Sequence, residues 1–264
     1  MIYINSKDKI KNINLEDNNY YVVIDFDKTL TSGESVTSWG LTAKSNGIGP
    51  DYTEKRMALF NKYRPIELDT SISDDVKTKY MQEWITAHIN LFFEYHLKET
   101  ALIDAVKKDY LIFRDGAKEF LYEMSKRNVP VIIISAGVGN VIYEFLKYQK
   151  CLYDNVHIVS NFIEFENDVI KSIKGDVIHS MNKSIATIPN EIKERINTKD
   201  YALLFGDLVG DKQMIGKSDF SNVITVGFLD EKIEENLEFF NKEFDLVCTN
   251  TSSYYDVNNI LNLY

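Results

Sequence analysis

The feature that most constrains the fold is a series of short apolar runs, the first two of which are followed at once by a polar residue. The first run, residues 20–24, ends at Asp25, and the second, residues 129–134, ends at Ser135. An amphipathic stretch at 117–127 precedes the second run. Uninterrupted apolar runs rich in β-forming residues are typical of strands that a parallel sheet buries on both faces. Alternation of such strands with helices predicts an α/β fold with a doubly wound parallel sheet.

Three later runs extend this predicted sheet. They cover residues 201–205, 223–228 and 246–248, and a charged helix is expected from 230 to about 240. The run at 201–205 is followed by Gly206-Asp207. Ligands of doubly wound sheets bind outside the carboxyl ends of the strands. Asp25, Ser135 and Asp207 are therefore expected to face one site.

A long insertion separates the first two predicted strands. Residues 34–109 intervene, whereas a crossover between parallel strands needs only about a dozen residues. Asp51 and Glu54 form a capping-box-like start for a helix at 51–63, and Ser73 begins a second helix that ends near residue 96. We therefore expect a core of residues 1–33 and 110–264 that carries an all-helical cap domain at 34–109.

A small β-hairpin flap is predicted within residues 156–184. Two short alternating runs lie on either side of Asn167-Asp168. Asn and Asp are favoured in the tight turns of hairpins, so the turn is expected at these two residues.

Charge and composition exclude several functional classes. The 264 residues include 30 basic and 40 acidic side chains, and the formal charge of −10 disfavours nucleic acid polymers and anionic membranes as partners. A small phosphate is still compatible where a metal ion and a lysine create a local positive potential. The two cysteines form no CxxC motif and no long apolar segment occurs, so the sequence predicts a soluble cytoplasmic protein.

The chemistry is concentrated in the segment Asp25-Phe26-Asp27-Lys28-Thr29, directly after the first strand. Two carboxylates at i and i+2 can face one reaction centre, where one attacks and the other transfers protons. A free aspartate has a pKa near 3.9, so Asp25 is expected to be an anion at neutral pH. The alternative is a pair of solvated turn aspartates. The preceding apolar strand and the polar groups at other strand ends favour the catalytic interpretation.

This pattern resembles that of the haloacid dehalogenase-like phosphohydrolases. The family pattern is DxDx[TV], a strand-end Ser or Thr, a Lys and an acidic pair, which here correspond to Asp25-Phe26-Asp27-Lys28-Thr29, Ser135, Lys183, and Asp207 with Asp211. The resemblance implies a Rossmann-like catalytic core in which Asp25 is the nucleophile and Asp27 the general acid and base. Dehalogenases of the superfamily lack the second aspartate, so Asp27 indicates phosphoryl transfer.

The same resemblance assigns the metal and phosphate ligands. Asp25, the backbone carbonyl of Asp27 and Asp207 are expected to hold Mg²⁺, a cation that prefers oxygen ligands. Asp211 either supports these ligands from the second shell or contacts the metal. The phosphoryl oxygens are expected to be held by Ser135, the backbone N–H groups that follow it from Ala136, and Lys183. Other lysines lie in the same flap, so a solvated lysine is the alternative at 183.

A second resemblance is to the pyrimidine 5′-nucleotidases of the cytosolic type III family. The motifs that carry it are Phe113-Arg114-Asp115-Gly116, Ile134-Ser135-Ala136-Gly137-Val138-Gly139, Val159-Ser160-Asn161-Phe162, Gly206-Asp207, Ile66-Glu67-Leu68-Asp69 and Met81-Gln82-Glu83-Trp84. It implies hydrolysis of nucleoside 5′-monophosphates of the pyrimidine or methylated-guanine type. In that family a cap glutamate contacts the base, and Glu67 stands at its position. His88 replaces the serine of the family's second base contact, so both a base contact and core packing are open for His88.

Two alternatives remain at this point. The substrate could be another small phosphomonoester, such as a phosphoamino acid or a sugar phosphate. A catalytically silent nucleotide-binding protein on the same fold is the alternative outside enzymes, although both Asp25 and Asp27 are present. The histidines lack the spacing of a zinc hydrolase.

Overall fold

The computed structural model describes residues 1–15, 17–45, 48–69, 71–185, 188–216, 220–249 and 252–264. One sheet of eight strands forms the centre of the described part. The strands are β1 (Ile2–Ile4), β2 (Tyr20–Ile24), β3 (Val131–Val138), β4 (Val156–Glu166), β5 (Val169–Lys174), β6 (Tyr201–Gly206), β7 (Val223–Leu229) and β8 (Leu246–Thr249).

Helices cover both faces of this sheet. Those of the described part are α1 (Lys7–Asn12), α2 (Ser38–Thr42), α3 (Pro50–Leu68), α4 (Asp74–Glu94), α5 (Glu99–Val106), α6 (Ala117–Lys126), α7 (Gly139–Tyr148), α8 (Asn190–Ile196), α9 (Ile233–Glu243) and α10 (Tyr254–Leu261). No helix among these residues is long and apolar enough to cross a membrane. The cytoplasmic location stays a prediction.

The strand order is β1-β8-β7-β6-β2-β3-β4-β5. Neighbours from β8 to β4 run parallel, and the two outermost pairs, β1 with β8 and β4 with β5, are antiparallel. This topology confirms the doubly wound sheet. In the central strand β2, Val22 and Ile24 pack into one hydrophobic cluster and Val23 into the other, so both faces are buried. Ile24 pairs with Ile133 on one side and with Phe205 on the other, which places the ends of these strands side by side.

The predicted end of the second strand and the predicted start of the charged helix are wrong, and the local structure explains both. Strand β3 continues through Ser135 to Val138, because an irregular register lets Val138 pair with Asn161 of β4. Ser135 therefore lies inside the strand instead of at its end. Helix α9 begins at Ile233 and not at residue 230, because Lys232 is in the left-handed region, with φ of 48°, before the first helical residue.

The regular elements in the described part of the long insertion are the helices α2 to α5, and Lys98 before α5 forms an isolated bridge with Val169 of β5. The predicted capping box at Asp51 is wrong, because α3 begins one residue earlier, at Pro50, and Asp51 lies in its first turn. Helix α3 also continues past residue 63 to Leu68. The division of the chain into a core and a separate cap domain stays a prediction.

The predicted hairpin is present, with its turn at Asn167 and Asp168, whose φ angles are 51° and 69°. Its first strand, β4, begins in the main sheet beside β3 and then continues beyond that sheet to pair with β5. The carboxylate of Asp168 accepts hydrogen bonds from the backbone N–H and the hydroxyl of Thr100, both at 2.8 Å. The flap is thereby joined to α5 of the insertion.

Candidate active site

The loop after β2 carries Asp25, which is 3% exposed. Its backbone N–H donates to the carbonyl of Phe205 on β6 at 3.0 Å. This bond holds the backbone of Asp25 at the end of the sheet. The segment Phe26–Leu30 follows at once, and its backbone is not helical at Asp27 and Lys28, the latter with φ of 61°.

Lys183 connects this aspartate to the acidic residues after β6. Its Nζ donates to Oδ1 of Asp25 at 2.6 Å and to Oδ1 of Asp211 at 2.9 Å. All three side chains are at most 7% exposed. Although burial opposes the charge of Lys183, the carboxylates of Asp211 and Asp25 raise its pKa, so the amino group stays protonated.

Three carboxylates form one cluster at this point. Asp25, Asp207 and Asp211 each place an oxygen within 4.8 Å of the other two. Burial raises the pKa of Asp25 to about 7 against the opposing effect of Lys183, and burial with the charges of Asp211 and Asp25 raises that of Asp207. Lys183 contacts two of these three acids and cannot balance three negative charges, so a further cation would stabilise their ionised forms. The oxygen-only ligand set fits Mg²⁺.

Asp211 is held by hydrogen bonds that do not involve a metal. Besides the bond from Lys183, its Oδ2 accepts from the backbone N–H groups of Asp207 at 3.1 Å and Leu208 at 3.0 Å. A Cβ at Gly206 would lie 2.5 Å from the Cβ of Asp211, so only glycine permits this close approach. These contacts favour a supporting role for Asp211.

Asp27 is hydrogen-bonded to the insertion. Its two carboxylate oxygens accept from the backbone N–H and from the hydroxyl of Ser38, each at 2.7 Å. Burial raises the pKa of Asp27, and the two bonds from Ser38 oppose that effect. Sequence reasoning missed Ser38. Thr37-Ser38 before an apolar segment was the available signal, since Thr37 caps α2.

The segment after Ile134 adjoins Asp27. A Cβ at Gly137 would lie 2.1 Å from the Oγ of Ser38, 2.9 Å from that of Ser135 and 3.2 Å from Oδ2 of Asp27, so these groups surround the glycine. The hydroxyl of Ser135 accepts from the backbone N–H of Gly137 at 3.0 Å. Nε1 of Trp39 in α2 donates to the carbonyl of Ala136 at 3.0 Å. The insertion therefore contacts the predicted phosphate-binding segment directly.

Arg114 holds the loop after β2 in place, a role that the sequence did not predict, although Arg114 belongs to one of the family motifs. Its guanidinium donates to the carbonyls of Lys28 at 2.5 Å and Thr29 at 3.1 Å. It also pairs with Asp230 at 2.7 Å and lies 4.0 Å from the ring centroid of Phe228. The side chain is 5% exposed. These buried hydrogen bonds restrict the backbone at Lys28 and Thr29, directly after Asp27.

Glu67 lies in the last turn of α3 and pairs with Arg64 of the same helix. The carbonyl of Glu67 accepts from Nζ of Lys77 at 3.2 Å. Burial lowers the pKa of His179, which precedes Lys183 by four residues, and the charge of Glu67 opposes that effect. A contact between Glu67 and a nucleobase stays a prediction.

His88 is 4% exposed and sits in an aromatic cluster. Its ring stacks on Trp39 with centroids 4.3 Å apart, and its Nε2 is 3.1 Å from the hydroxyl of Tyr52. Burial lowers the pKa of His88 to about 3, so the ring is neutral. These contacts agree with core packing, and a contact between His88 and a nucleobase stays a prediction.

Comparison with known protein families decides the family. The family model of the pyrimidine 5′-nucleotidases (UMPH-1) matches residues 24–264. The chain belongs to the pyrimidine 5′-nucleotidase family. Membership confirms the resemblance noted in the sequence, and the enzyme is a phosphatase of the 5′-nucleotidase type.

Curated relatives of this pyrimidine 5′-nucleotidase family member cover most of its length. The 7-methylguanosine phosphate-specific 5′-nucleotidase A of Xenopus laevis is 33% identical over 91% of this chain and 86% of its own. The human 7-methylguanosine phosphate-specific 5′-nucleotidase is 30% identical over 91% of this chain and 83% of its own.

Solved structures confirm the fold. A cytosolic 5′-nucleotidase IIIB bound to cytidine has a TM-score of 0.86 at 24% identity and covers 99% of this chain and 93% of its own. A phospho-aspartyl intermediate analogue of phosphoserine phosphatase has a TM-score of 0.57 at 16% identity, with 92% and 97% covered. At these identities the likeness shows the haloacid dehalogenase-type fold, not the substrate.

Proposed function

We propose that this pyrimidine 5′-nucleotidase family member hydrolyses pyrimidine or 7-methylguanosine 5′-monophosphates, with Mg²⁺ and through a phospho-aspartate at Asp25. The observation that carries the proposal is the buried arrangement of Lys183 between Asp25 and Asp211, beside Asp207. The names of the relatives, which specify 7-methylguanosine phosphate, support the substrate class.

In the first step a carboxylate oxygen of Asp25 attacks the phosphorus. The bond from phosphorus to the 5′-oxygen breaks, and Asp27 gives its proton to that oxygen so that a neutral nucleoside leaves. Lys183 and Ser135 donate hydrogen bonds to the non-bridging oxygens, where negative charge must be stabilised during transfer.

In the second step Asp27 takes a proton from water. The water oxygen bonds to phosphorus, and the bond between phosphorus and Asp25 breaks, which returns the electron pair to the carboxylate. Asp25, the backbone carbonyl of Asp27 and Asp207 would hold Mg²⁺, which when bound offsets the charge of the phosphate. Asp211 keeps Asp207 and Lys183 in position.

The insertion supplies the contacts beyond the phosphate. Glu67 accepts hydrogen bonds from the base in this proposal, and the contact from Trp39 to Ala136 closes one side of the site. A closed insertion would exclude water from the reaction centre.

A substrate panel tests the proposal. Phosphate release is measured for CMP, UMP, 7-methylguanosine 5′-monophosphate, phosphoserine and a sugar phosphate, with Mg²⁺ and with excess chelator. We expect the highest kcat/KM for a nucleoside monophosphate and loss of turnover with chelator. A higher kcat/KM for phosphoserine or the sugar phosphate would contradict the substrate class. Full activity in chelator would contradict the metal requirement.

A further inference from the structure

The charged pair Arg64 and Glu67 is unusual among the ion pairs of the insertion because it is largely buried. The side chain of Glu67 is 12% exposed and that of Arg64 is 27% exposed. The pair between Lys55 and Glu94, also in the insertion, is about half exposed on both sides. Exposed ion pairs contribute little to stability. In a pair that is removed from water the two charges interact more strongly, so each partner offsets the charge of the other.

The charges near this pair belong partly to residues outside the insertion. Burial opposes the charge of Arg64, but the charges of Glu67, Asp207 and Glu231 outweigh that effect and raise its pKa. Burial lowers the pKa of His179, and the charge of Glu67 opposes that effect. Nζ of Lys77 donates to the carbonyl of Glu67 and holds the end of α3 in place. A base bound by Glu67 would therefore also meet the guanidinium of Arg64.

The charge of the pair bears on which bases can bind. A single buried carboxylate attracts a cationic ring such as 7-methylguanine more strongly than a neutral ring such as cytosine. A carboxylate and a guanidinium together carry no net charge, and the guanidinium repels a cationic base. We propose that Arg64 is a specificity-determining residue that lowers the preference of this site for cationic over neutral nucleobases. The inference rests on the proposed function, because it needs Glu67 to lie at the base.

The test compares the ratio of kcat/KM for 7-methylguanosine 5′-monophosphate to that for CMP, at mildly acidic pH where the methylated base is cationic. We expect Arg64→Gln to raise this ratio about tenfold, equal to about 1.4 kcal/mol. Arg64→Lys keeps the charge and should stay within about twofold of the parent ratio. The control Lys79→Gln removes an exposed positive charge from α4 and should also stay within about twofold.

A reciprocal variant keeps the inference testable if Arg64→Gln does not fold. Glu67→Gln leaves Arg64 unpaired, so the ratio should fall below that of the parent. An unchanged or lower ratio in Arg64→Gln, or an unchanged or higher one in Glu67→Gln, would overturn the inference. If the parent protein hydrolyses p-nitrophenyl phosphate but neither nucleotide, the proposed function fails instead.

Discussion

The amino group of Lys183 lies 2.6 Å from Oδ1 of Asp25, and both side chains are buried, with 7% and 5% exposed. The two residues are far apart in the chain, one after β2 and the other after the hairpin. The distance means that the proposed nucleophile is oriented before any substrate binds. Lys183 also bonds to Asp211, so it balances part of the negative charge of the acidic cluster.

Lys183→Met should therefore lower both activity and stability. Removing one partner from a buried ion pair typically costs about 3–5 kcal/mol, because the remaining carboxylates lose their counter-charge. We expect slower turnover and a lower free energy of unfolding in urea. Mg²⁺ should stabilise the variant more than the parent protein, because a bound cation would replace the lost charge. Equal stabilisation of both proteins would argue against a shared role for lysine and metal.

Ser38→Ala tests the contact that positions Asp27. The hydroxyl bond to the carboxylate is lost while the backbone bond remains, and one bond to a charged group contributes about 1.5–3 kcal/mol. We expect a larger loss of kcat for a nucleotide, whose alkoxide must be protonated, than for p-nitrophenyl phosphate. The matched control is Ser45→Ala, whose hydroxyl donates to the carbonyl of Thr42 and not to Asp27. Equal losses for both substrates would reject the role of Ser38 through Asp27.

Arg114→Lys tests the hydrogen bonds that Arg114 donates to the loop after β2. Lysine cannot donate in plane to the two carbonyls and to Asp230 together, so we expect a fall of about 2 kcal/mol in the free energy of unfolding and a lower kcat. Arg195→Lys is the control, because Arg195 makes an exposed hydrogen bond to Asn128. A variant with parental stability and kcat would show that these contacts of Arg114 are dispensable.

Stability should depend on pH through His88. Burial lowers its pKa from about 6.5 to about 3 in the folded protein, so below pH 6.5 the unfolded chain binds a proton that the folded chain does not. Stability therefore falls as the pH falls from about 6.5 towards 3, by about 2 kcal/mol at pH 5 from this residue alone. His88→Phe should reduce that loss between pH 7 and 5 in urea unfolding. A loss of stability between pH 7 and 5 that is equal in His88→Phe and in the parent protein would contradict this assignment.

Much of the fold could be predicted because the strands of the central sheet are apolar without interruption. The same pattern placed Asp25 and Asp207 at strand ends, where the structure brings them together. Ser38 and Arg114 could not be predicted in the same way. Each acts through a contact between segments distant in sequence, the first with Asp27 and the second with the carbonyls of Lys28 and Thr29.

Short elements were missed for a different reason. Strand β1 has three residues and carries little periodic signal, and it exists because β8 offers an edge for antiparallel pairing. The end of β3 depends on its register with β4, which no local pattern in residues 131–138 records.

The central claim is that Asp25 carries the phosphoryl group, and the most direct measurement uses Asp27→Asn with p-nitrophenyl phosphate and Mg²⁺. Nitrophenolate leaves without a proton, so the first step should proceed, whereas the second step lacks its base. We expect a burst of about one nitrophenolate per active site. Acid quenching, borohydride reduction and peptide mass spectrometry should then find homoserine in place of Asp25. A linear time course without a burst, or a modification at another residue, would contradict the account.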